Sequence, residues 1–532
     1  MKRGIVYSLT AKKITVMFLI LLLCLATLAG CNNNANKASN SPEATDSINE
    51  TIDDTYESPD SAAKEPKYIF LFIGDGMGFS QASALGIYNG TTEHDFVGTA
   101  DEPTVDNIPQ AENPSFMDFP TVGAVTTYDA SKFVTDSASA ATAIASGVKT
   151  LDGAIGVDAL GESVPSIAEL LKENKDYKIG IITNVSLNHA TPAGFYAHVN
   201  SRGDLVTIGE HLAESDFDFF GGGGIYIKDE ADHAGVMEKI SQAGYNVVNT
   251  KEEIMALSPD SGKTVAINEI LDSSADITFS VDQEEGDLKL VDFVKKGIEV
   301  IDNDTGFFMM VESGKIDWAA HCNDAYTVIN EVKELETAVE AAIEFYNQHP
   351  DETLILVTGD HETGGMALGQ NTTFYDTYYT ALDEQQISHN VYNDYIEKYR
   401  ENNTSFEDVM TEAKELFGLV MPDDKESENA TLLLTKDDVA TLKAAYTQSM
   451  IPPDDRDQTK EYANLYSTYG YEPLQLMITR IINSKVGIGW TSTAHSGIPV
   501  AIYSMGTGQE MFGTMIDNTD ICNNLKILTG IE

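Results

Sequence analysis

Continuous apolar runs, each followed abruptly by glycine or charged residues, recur along most of this chain. The first run, Tyr68–Ile73, is followed directly by Gly74-Asp75-Gly76-Met77-Gly78. Runs without a polar face are typical of strands that are buried on both sides in a parallel sheet. We therefore expect the similar runs farther along to be strands too: Ile179–Thr183, Gly306–Val311, Thr353–Thr358 and Pro499–Tyr503.

Helical patterns separate these predicted strands, for example at Ser166–Glu173 and Ala325–Tyr346. Strands that alternate with helices predict an α/β fold, with a mostly parallel central sheet covered by helices on both faces. In such sheets, ligands bind beyond the carboxyl ends of the strands. Asp75, Glu312 and Asp360 all fall at such ends, so we expect a polar site along this edge.

Residues 370–485 interrupt the alternation of strands and helices. The segment is polar and rich in tyrosine, with helical patterns near Asn390–Leu416 and Lys436–Gln448. We interpret it as an inserted cap or interaction subdomain on the active edge of the sheet. The catalytic domain then comprises residues 67–369 and 486–532.

Residues 1–30 are typical of an export signal. Lys12-Lys13 precede an apolar run, Ile14–Leu25, and a stretch of small residues that leads to Cys31. The ending Leu-Ala-Gly-Cys resembles a bacterial lipoprotein signal, which implies that Cys31 becomes the lipidated first residue. The alternative is an uncleaved membrane anchor, and both predict that the rest of the chain lies at the outer face of the cytoplasmic membrane. Residues 31–66, rich in Asn, Ser, Asp, Glu and Pro, are typical of a disordered tether.

The formal net charge of −51 argues against nucleic-acid binding, because such a surface repels nucleic acid and acidic membranes. We interpret the charge as a solvated exterior. Of the four cysteines, Cys24 is removed with the signal and Cys31 is expected to be acylated. Cys322 and Cys522 remain, and the sequence leaves open whether they form a disulfide.

One short motif lies at the start of a predicted helix. Thr135-Asp136-Ser137-Ala138 opens a run of small residues that ends at Gly147. Alanine favours a helix, glycine favours its end, and Thr135 or Asp136 can cap its start. Ser137 is then in the first turn, where free backbone N–H groups favour negative charge. The motif suits a serine that attacks a phosphate, although an isolated motif of this kind is more often only a helix cap.

Several carboxylates and histidines have the spacing of metal ligands. Asp317 and His321 are four residues apart, which puts both on one face of a helix. Mixed imidazole and carboxylate ligands suit Zn²⁺, or a harder ion where oxygen dominates. Singly, such residues are more often surface pairs, structural histidines or turn residues, but several of them at strand ends favour a metal centre. The further candidates are Asp75, Glu312, Asp360, His361 and His495.

Arginine is rare in this chain. After Arg3 in the signal, the first arginine is Arg202, and none follows until Arg400. A guanidinium can bind phosphate through two parallel hydrogen bonds. Arg202 is therefore a candidate phosphate ligand, and the alternative is a structural salt bridge.

In combination, these motifs resemble those of the bacterial alkaline phosphatases. The resemblance implies hydrolysis of phosphate monoesters through a phosphoserine on Ser137, with release of inorganic phosphate. It also implies that Arg202 holds the phosphoryl oxygens and that Asp136 orients Arg202. The matching segments run in family order over roughly residues 67–369 and 488–530: Gly74–Gly78, Thr135–Ala138, His189–Pro192, Arg202, Glu312 with Asp317 and His321, Thr358–Gly365 and Thr493–Gly497.

The resemblance also implies two zinc ions and a third metal, usually magnesium. Two metal ions can stabilise the entering and leaving oxygens of an in-line displacement. The implied ligands are Asp317, His321 and His495 for the first zinc, Asp75, Asp360 and His361 for the second, and Asp75, Thr191 and Glu312 for the third metal.

Two positions depart from the best-known bacterial pattern. His189 stands where an aspartate is often found beside the third metal, and Trp318 stands where a lysine often contacts phosphate. Because imidazole suits Zn²⁺ or Co²⁺ better than Mg²⁺, the identity of the third metal stays open. Without the lysine charge, we expect weaker binding of product phosphate.

Two other functions stay open from the sequence. One is a related metal-dependent phosphodiesterase or sulfatase, but those relatives typically use threonine or a modified cysteine in place of Ser137. The other is a surface lipoprotein that binds metal or phosphate without catalysis. As partners we expect small-molecule phosphate monoesters, the membrane through the lipid on Cys31, no nucleic acid and, because family members are often dimers, a second copy of the chain.

Overall fold

The computed structural model describes residues 65–93, 110–424, 431–456, 459–466 and 471–531. The predicted signal, the lipidation site Cys31 and nearly all of the tether lie outside the described residues. Among those residues, no helix is both long and apolar enough to cross a membrane.

The strands confirm the predicted α/β architecture. All five predicted apolar runs are strands, with bounds that differ by a few residues at most. The strands are β1 (Tyr68–Gly74), β2 (Thr121–Thr126), β3 (Lys178–Thr183), β4 (Phe219–Gly222), β5 (Asn246–Val248), β6 (Thr264–Ile267), β7 (Phe307–Ser313), β8 (Thr353–Gly359), β9 (Glu362–Thr363), β10 (Ala367–Leu368), β11 (Ile488–Gly489), β12 (His495–Ser496), β13 (Val500–Gly506) and β14 (Met515–Asp517).

Ten of these strands form one mostly parallel sheet, in the order β14-β2-β13-β8-β1-β7-β3-β4-β6-β5. Strand β13 runs antiparallel to both of its neighbours, β8 and β2. The central strand β1 pairs in parallel with β7 and with β8. The remaining four strands form two short antiparallel pairs, β9 with β12 and β10 with β11.

Helices connect the strands, and the helix Ala325–Tyr346 has the predicted bounds. The α-helices are α1 (Phe79–Glu93), α2 (Ser137–Ser146), α3 (Ile167–Lys175), α4 (Ala190–Ala193), α5 (Leu205–Glu214), α6 (Glu230–Gln242), α7 (Lys251–Met255), α8 (Leu290–Ile301), α9 (Lys315–His321), α10 (Ala325–Tyr346), α11 (His389–Asn402), α12 (Phe406–Phe417), α13 (Lys436–Ser449), α14 (Lys460–Tyr466), α15 (Pro473–Val486) and α16 (Asn518–Thr529).

Both faces of the sheet are covered, as the uninterrupted apolar runs predict. Successive side chains of a strand point to opposite faces. Phe70 and Phe72 of β1 accordingly belong to one hydrophobic cluster, together with the buried face of α10. Ile69 and Leu71 belong to a second cluster, together with residues of α2 and α3. The sheet therefore has a core on each side, and its polar residues are left at the strand ends.

The strand register aligns the carboxyl ends of the central strands. Gly74, the last residue of β1, pairs with Ser313 of β7 and with Gly359 of β8. Glu312 of β7 pairs with Ile73 on one side and with Thr183 of β3 on the other. Residues at or just beyond these ends therefore meet at one edge of the sheet.

The predicted insertion contains helices α11 to α14 and most of α15. The helical patterns near Asn390–Leu416 are two helices, because α11 ends at Asn402 and Asn403 adopts a left-handed conformation with a φ of 52°. Buried Tyr392 and Ile478 belong to the same hydrophobic cluster as α10. The limits 370 and 485 of a separate subdomain stay a prediction.

The cysteine question has a structural answer. Cys322 and Cys522 are both buried and both free, so within the described part of the chain they do not form the disulfide that the sequence left open. The fold is therefore stabilised by its two apolar cores rather than by a crosslink.

Candidate active site

Helix α2 begins at Ser137, the predicted nucleophile. The Asp136 carboxylate caps this helix, because its Oδ1 accepts a hydrogen bond from the Ser139 backbone N–H at 3.1 Å. Gly147 ends the helix with a φ of 74°, a left-handed conformation that favours glycine. Ser137 is 2% exposed, and its Oγ lies 3.3 Å from His361 Nε2. The candidate nucleophile is therefore in contact with one of the predicted metal ligands.

Asp317, His321 and His495 form the first of three groups of possible metal ligands. Asp317 and His321 share one face of α9, as their spacing predicts, and His321 Nε2 lies 3.3 Å from Asp317 Oδ2. Pairing of β12 with β9 brings His495 close, with its Nε2 3.6 Å from Asp317 Oδ1. The group therefore combines one helix with a distant strand.

Backbone carbonyls orient both imidazoles of this first group. His321 Nδ1 lies 2.7 Å from the Thr493 carbonyl oxygen, and His495 Nδ1 lies 2.7 Å from the Thr135 carbonyl oxygen. A carbonyl oxygen only accepts, so each neutral imidazole carries its proton on Nδ1 and offers a lone pair at Nε2. The two Nε2 atoms are 3.2 Å apart. Two lone pairs at this distance repel each other, and a shared cation would satisfy both.

Asp75, Asp360 and His361 form the second group, at the ends of β1 and β8. His361 Nε2 lies 3.3 Å from Asp75 Oδ1 and 3.4 Å from Asp360 Oδ2. Asp360 Oδ1 accepts from the backbone N–H groups of Gly76 and His361, at 3.1 and 2.9 Å. By contrast, Asp75 Oδ1 and Asp360 Oδ2 are buried without a hydrogen-bond partner in the described residues. Both unpartnered oxygens face the imidazole.

Asp75, His189 and Glu312 form the third group, so Asp75 belongs to two groups at once. The Thr191 hydroxyl lies 3.4 Å from Asp75 Oδ2, which brings the predicted threonine to this group as well. Thr183 donates a hydrogen bond to Glu312 Oε2. His189 Nδ1 and Glu312 Oε1 are buried, and neither has a hydrogen-bond partner in the part of the chain that the structure describes.

The carboxylates of the site crowd one another. Burial and the neighbouring carboxylates raise the pKa of Asp75 and of Asp360 well above the usual range. Burial likewise raises the pKa of Glu312 to about 7. For Asp317, burial acts in the same direction, but the imidazoles of His321 and His495 outweigh it and hold the pKa well below the usual range.

These properties fit bound metal ions. Buried carboxylates that repel one another and keep unpartnered oxygens are costly in an apolar interior, and nearby cations offset that cost. The first two groups combine imidazole with carboxylate, the donor set of zinc. In the third group, oxygen donors dominate, apart from one imidazole.

Arg202 links the start of helix α2 to the third group. Its Nη1 donates to Asp136 Oδ2 at 3.0 Å, and its Nη2 lies 3.1 Å from His189 Nε2. Burial favours the neutral form of Asp136, but Arg202 and hydrogen bonds from Ser139 and Gly153 lower the pKa of this carboxyl below its usual range. The structural salt bridge that the sequence left open as the alternative role of Arg202 is therefore present. It holds the guanidinium against Asp136, the residue that precedes Ser137.

Comparison with known proteins decides the family. The alkaline phosphatase family model matches residues 66–531 of the chain. This chain belongs to the alkaline phosphatase family. Alkaline phosphatase 4 of Bacillus subtilis (strain 168) is 30% identical over 478 residues, which cover 87% of this chain and 89% of the relative.

Solved alkaline phosphatases share the fold. A cold-active alkaline phosphatase from a psychrophilic Shewanella species superposes with a TM-score of 0.68 and 24% identity, covering 87% of this chain and 100% of that one. A variant of the TAB5 alkaline phosphatase, with a histidine replaced by glutamate and Mg bound in the M3 site, superposes with a TM-score of 0.56 and 23% identity, covering 88% and 99%.

This alkaline phosphatase is a metal-dependent hydrolase of phosphate monoesters. Membership of this family favours hydrolysis of phosphate monoesters over the phosphodiesterase, sulfatase and non-catalytic alternatives. The predicted site residues other than Cys31 all lie in or beside the three groups. Trp318 is also there, with its ring centroid 5.9 Å from that of His189.

Two supporting residues of this alkaline phosphatase were missed at the sequence level. Glu362 is buried and accepts from Gln81 Nε2 at 2.7 Å, from the Met366 backbone N–H at 3.0 Å and from the Ser496 hydroxyl. It thereby anchors Ser496, the neighbour of His495. Thr363 donates to Asp317 Oδ1. Both lie in the segment after β8, and their position beside Asp360 and His361 is the signal that could have drawn attention to them.

Proposed function

We propose that this alkaline phosphatase transfers the phosphoryl group of a monoester first to Ser137 and then to water. One observation carries the proposal: Ser137 begins a capped helix and contacts a cluster of buried ligands whose oxygens lack protein partners. A catalytically silent binding protein would not need a serine at this point.

For the metals, we propose Zn²⁺ at the first and second groups and Mg²⁺ at the third, with Zn²⁺ or Co²⁺ as the alternatives at the third. When bound, these ions stabilise negative charge on the entering and leaving oxygens. The TAB5 variant that has Mg in its M3 site carries glutamate in place of a histidine. This supports Mg²⁺ as a metal that such a third site can hold, and we propose that His189, the one imidazole of the third group, influences which metal binds there.

In this proposal, the start of α2 stabilises the nucleophile, Arg202 binds the substrate, and Asp136 orients Arg202. The free N–H groups at the start of α2 stabilise negative charge on Ser137 Oγ. Arg202 donates to two non-bridging phosphoryl oxygens and offsets their charge. Asp136, 3.0 Å from Arg202 Nη1, keeps the guanidinium in that orientation.

The reaction has two displacements. Ser137 Oγ attacks phosphorus, the bond from phosphorus to the alcohol oxygen breaks, and a phosphoserine forms. Water then attacks the same phosphorus, the bond to Ser137 Oγ breaks, and inorganic phosphate leaves. Ser137 is regenerated, so each cycle consumes one water and releases one alcohol and one phosphate.

We also propose that Cys31 is lipidated, that this lipid tethers the enzyme to the outer face of the cytoplasmic membrane, and that the enzyme is a homodimer. The signal motif supports the tether, and the fact that family members are often dimers supports the dimer. Absence of a lipid adduct on Cys31 in the mass spectrum of the mature protein would contradict the tether, and a monomeric mass in light scattering would contradict the dimer.

The central test is hydrolysis of a chromogenic phosphate monoester between pH 7 and 10 by purified residues 32–532. We expect activity that a chelator removes, that added metal restores, and that Ser137→Ala abolishes while metal binding is kept. Parallel assays with a phosphate diester and a sulfate ester cover the alternative reactions. Turnover of the diester or the sulfate in preference to the monoester would overturn the proposal.

A further inference from the structure

The turn that follows helix α9 is built around a buried asparagine. Asn323 is 0% exposed and has a left-handed backbone with a φ of 49°. It lies two residues after His321, a ligand of the first group. Asn323 takes no part in the proposed mechanism.

The amide nitrogen of the Asn323 side chain is hydrogen-bonded to two segments that build the first group. Its Nδ2 donates to the Ala320 carbonyl oxygen at 3.1 Å and to the Ser492 carbonyl oxygen at 2.9 Å. Ala320 precedes His321, and Ser492 precedes Thr493, whose carbonyl oxygen orients His321 Nδ1 at 2.7 Å. One amide group therefore joins the ligand to the segment that orients it.

The last helix of the insertion, α15, holds this asparagine from the other side. Arg480 Nε donates to Asn323 Oδ1 at 3.0 Å, and Asn483 Nδ2 donates to the Asn323 carbonyl oxygen at 2.6 Å. Thr479 donates to the neighbouring Cys322 carbonyl oxygen at 3.2 Å. Three hydrogen bonds from α15 thus hold the turn. Together with the bonds that Asn323 Nδ2 donates, they give every polar atom of the Asn323 side chain a partner.

We propose that Asn323 is a positioning residue for the first metal group, and that α15 acts on metal binding through it. The inference rests on the proposed function, because it concerns the zinc affinity of His321. Loss of a group that hydrogen-bonds a ligand directly typically weakens metal affinity about 10- to 100-fold. Asn323 acts one step further from His321, through the backbone on both sides of it, so we expect an effect near the lower end of that range. This gives part of the insertion a role that its sequence did not indicate.

Asn323→Gly is the direct test. Glycine accepts the left-handed backbone but removes all of the side-chain hydrogen bonds. Asn403→Gly is the matched control, since Asn403 is also a left-handed asparagine after a helix, with a φ of 52°, but is exposed. Zinc affinity is measured on metal-depleted protein by competition with a chromophoric chelator. Activity is then measured in limiting and in excess zinc.

We expect Asn323→Gly to keep one tight zinc site and to weaken the other about 10-fold, while Asn403→Gly keeps the wild-type affinities. Excess zinc should restore the activity of Asn323→Gly, which a purely structural defect would not allow. Equal zinc affinities in Asn323→Gly and Asn403→Gly would overturn the inference.

Arg480→Met provides a second route if Asn323→Gly does not fold, because it removes one contact from outside the turn. It should weaken the same zinc site in the same direction, and an affinity within about twofold of the wild type would overturn the inference. Failure of the proposed function is distinguishable: in that case the wild type itself lacks zinc-dependent hydrolysis. Failure of the inference alone leaves the wild type active and the variants unchanged in zinc affinity.

Discussion

Replacement of Arg202 by alanine tests the phosphate contact that the proposed mechanism requires. Arg202 Nη1 is held by Asp136 at 3.0 Å, and the arginine side chain is 34% exposed. A hydrogen bond to a charged group contributes about 1.5–3 kcal/mol, so two of them in a dry site would contribute about 3–6 kcal/mol. With a third of the side chain in solvent, we reduce this to about 2–4 kcal/mol. At about 1.4 kcal/mol for each factor of ten, kcat/KM falls about 30- to 1000-fold.

The assay is steady-state hydrolysis of a chromogenic monoester by metal-loaded enzyme, with inhibition by inorganic phosphate measured alongside. Arg202→Ala should raise the inhibition constant of phosphate along with the loss of kcat/KM, because phosphate uses the same fork of donors. Arg202→Lys keeps the charge but not the planar fork, so it should fall between the wild type and alanine. If Arg202→Ala retains kcat/KM within about threefold of the wild type, the reasoning is refuted, and the ion pair with Asp136 is the residue's main contribution.

Three further predictions follow from single contacts. Trp318→Lys puts a cation beside the phosphate site and should strengthen inhibition by inorganic phosphate several-fold; an unchanged inhibition constant contradicts this. His189→Asp makes the third group all-oxygen, so metal-depleted enzyme should regain activity at lower Mg²⁺, whereas an unchanged Mg²⁺ midpoint would count against His189 as the selecting ligand. Burial disfavours a charged His389, but Cys322 and Asp324 raise its pKa to about 10. Protonated His389 therefore contributes its full stabilisation below about pH 6.5, and this contribution is lost as the pH rises toward 10. The melting temperature should fall over this pH range, and it should fall less steeply in His389→Gln. Equal slopes of melting temperature against pH in the two proteins would contradict the assignment.

The central strands could be predicted from the sequence because their environment leaves a simple pattern. A strand covered on both faces must be apolar throughout, and β1 begins at the predicted residue and ends one residue beyond the predicted run. The direction of β13 could not be predicted, because an apolar run is the same read either way. The helical patterns near Asn390–Leu416 did not locate the break between α11 and α12, because Asn403, unlike glycine or proline, does not strongly indicate the end of a helix.

The candidate metal ligands could be brought together from the sequence because they are side chains with a chemistry of their own at strand ends or on one helix face. The groups that orient them could not, because they are mostly backbone atoms. The carbonyl oxygens of Thr493 and Thr135 carry no signal in residue type, and their contacts with His321 and His495 depend on pairings across the fold. The double use of Asp75 by the second and third groups was implied by the family resemblance, and the structure brings Asp75 into both groups.

One of these backbone contacts bears directly on the reaction. His495 Nδ1 lies 2.7 Å from the carbonyl oxygen of Thr135, two residues before Ser137. The same hydrogen bond therefore orients His495 of the first group and connects that group to the residues just before helix α2. An in-line displacement needs the entering and leaving oxygens to be held on opposite sides of phosphorus, and small errors in that geometry are costly. Because Ser137 and His495 are joined through so short a path, the fold sets the position of Ser137 Oγ, the attacking oxygen of the proposed mechanism, relative to the first group before any substrate binds.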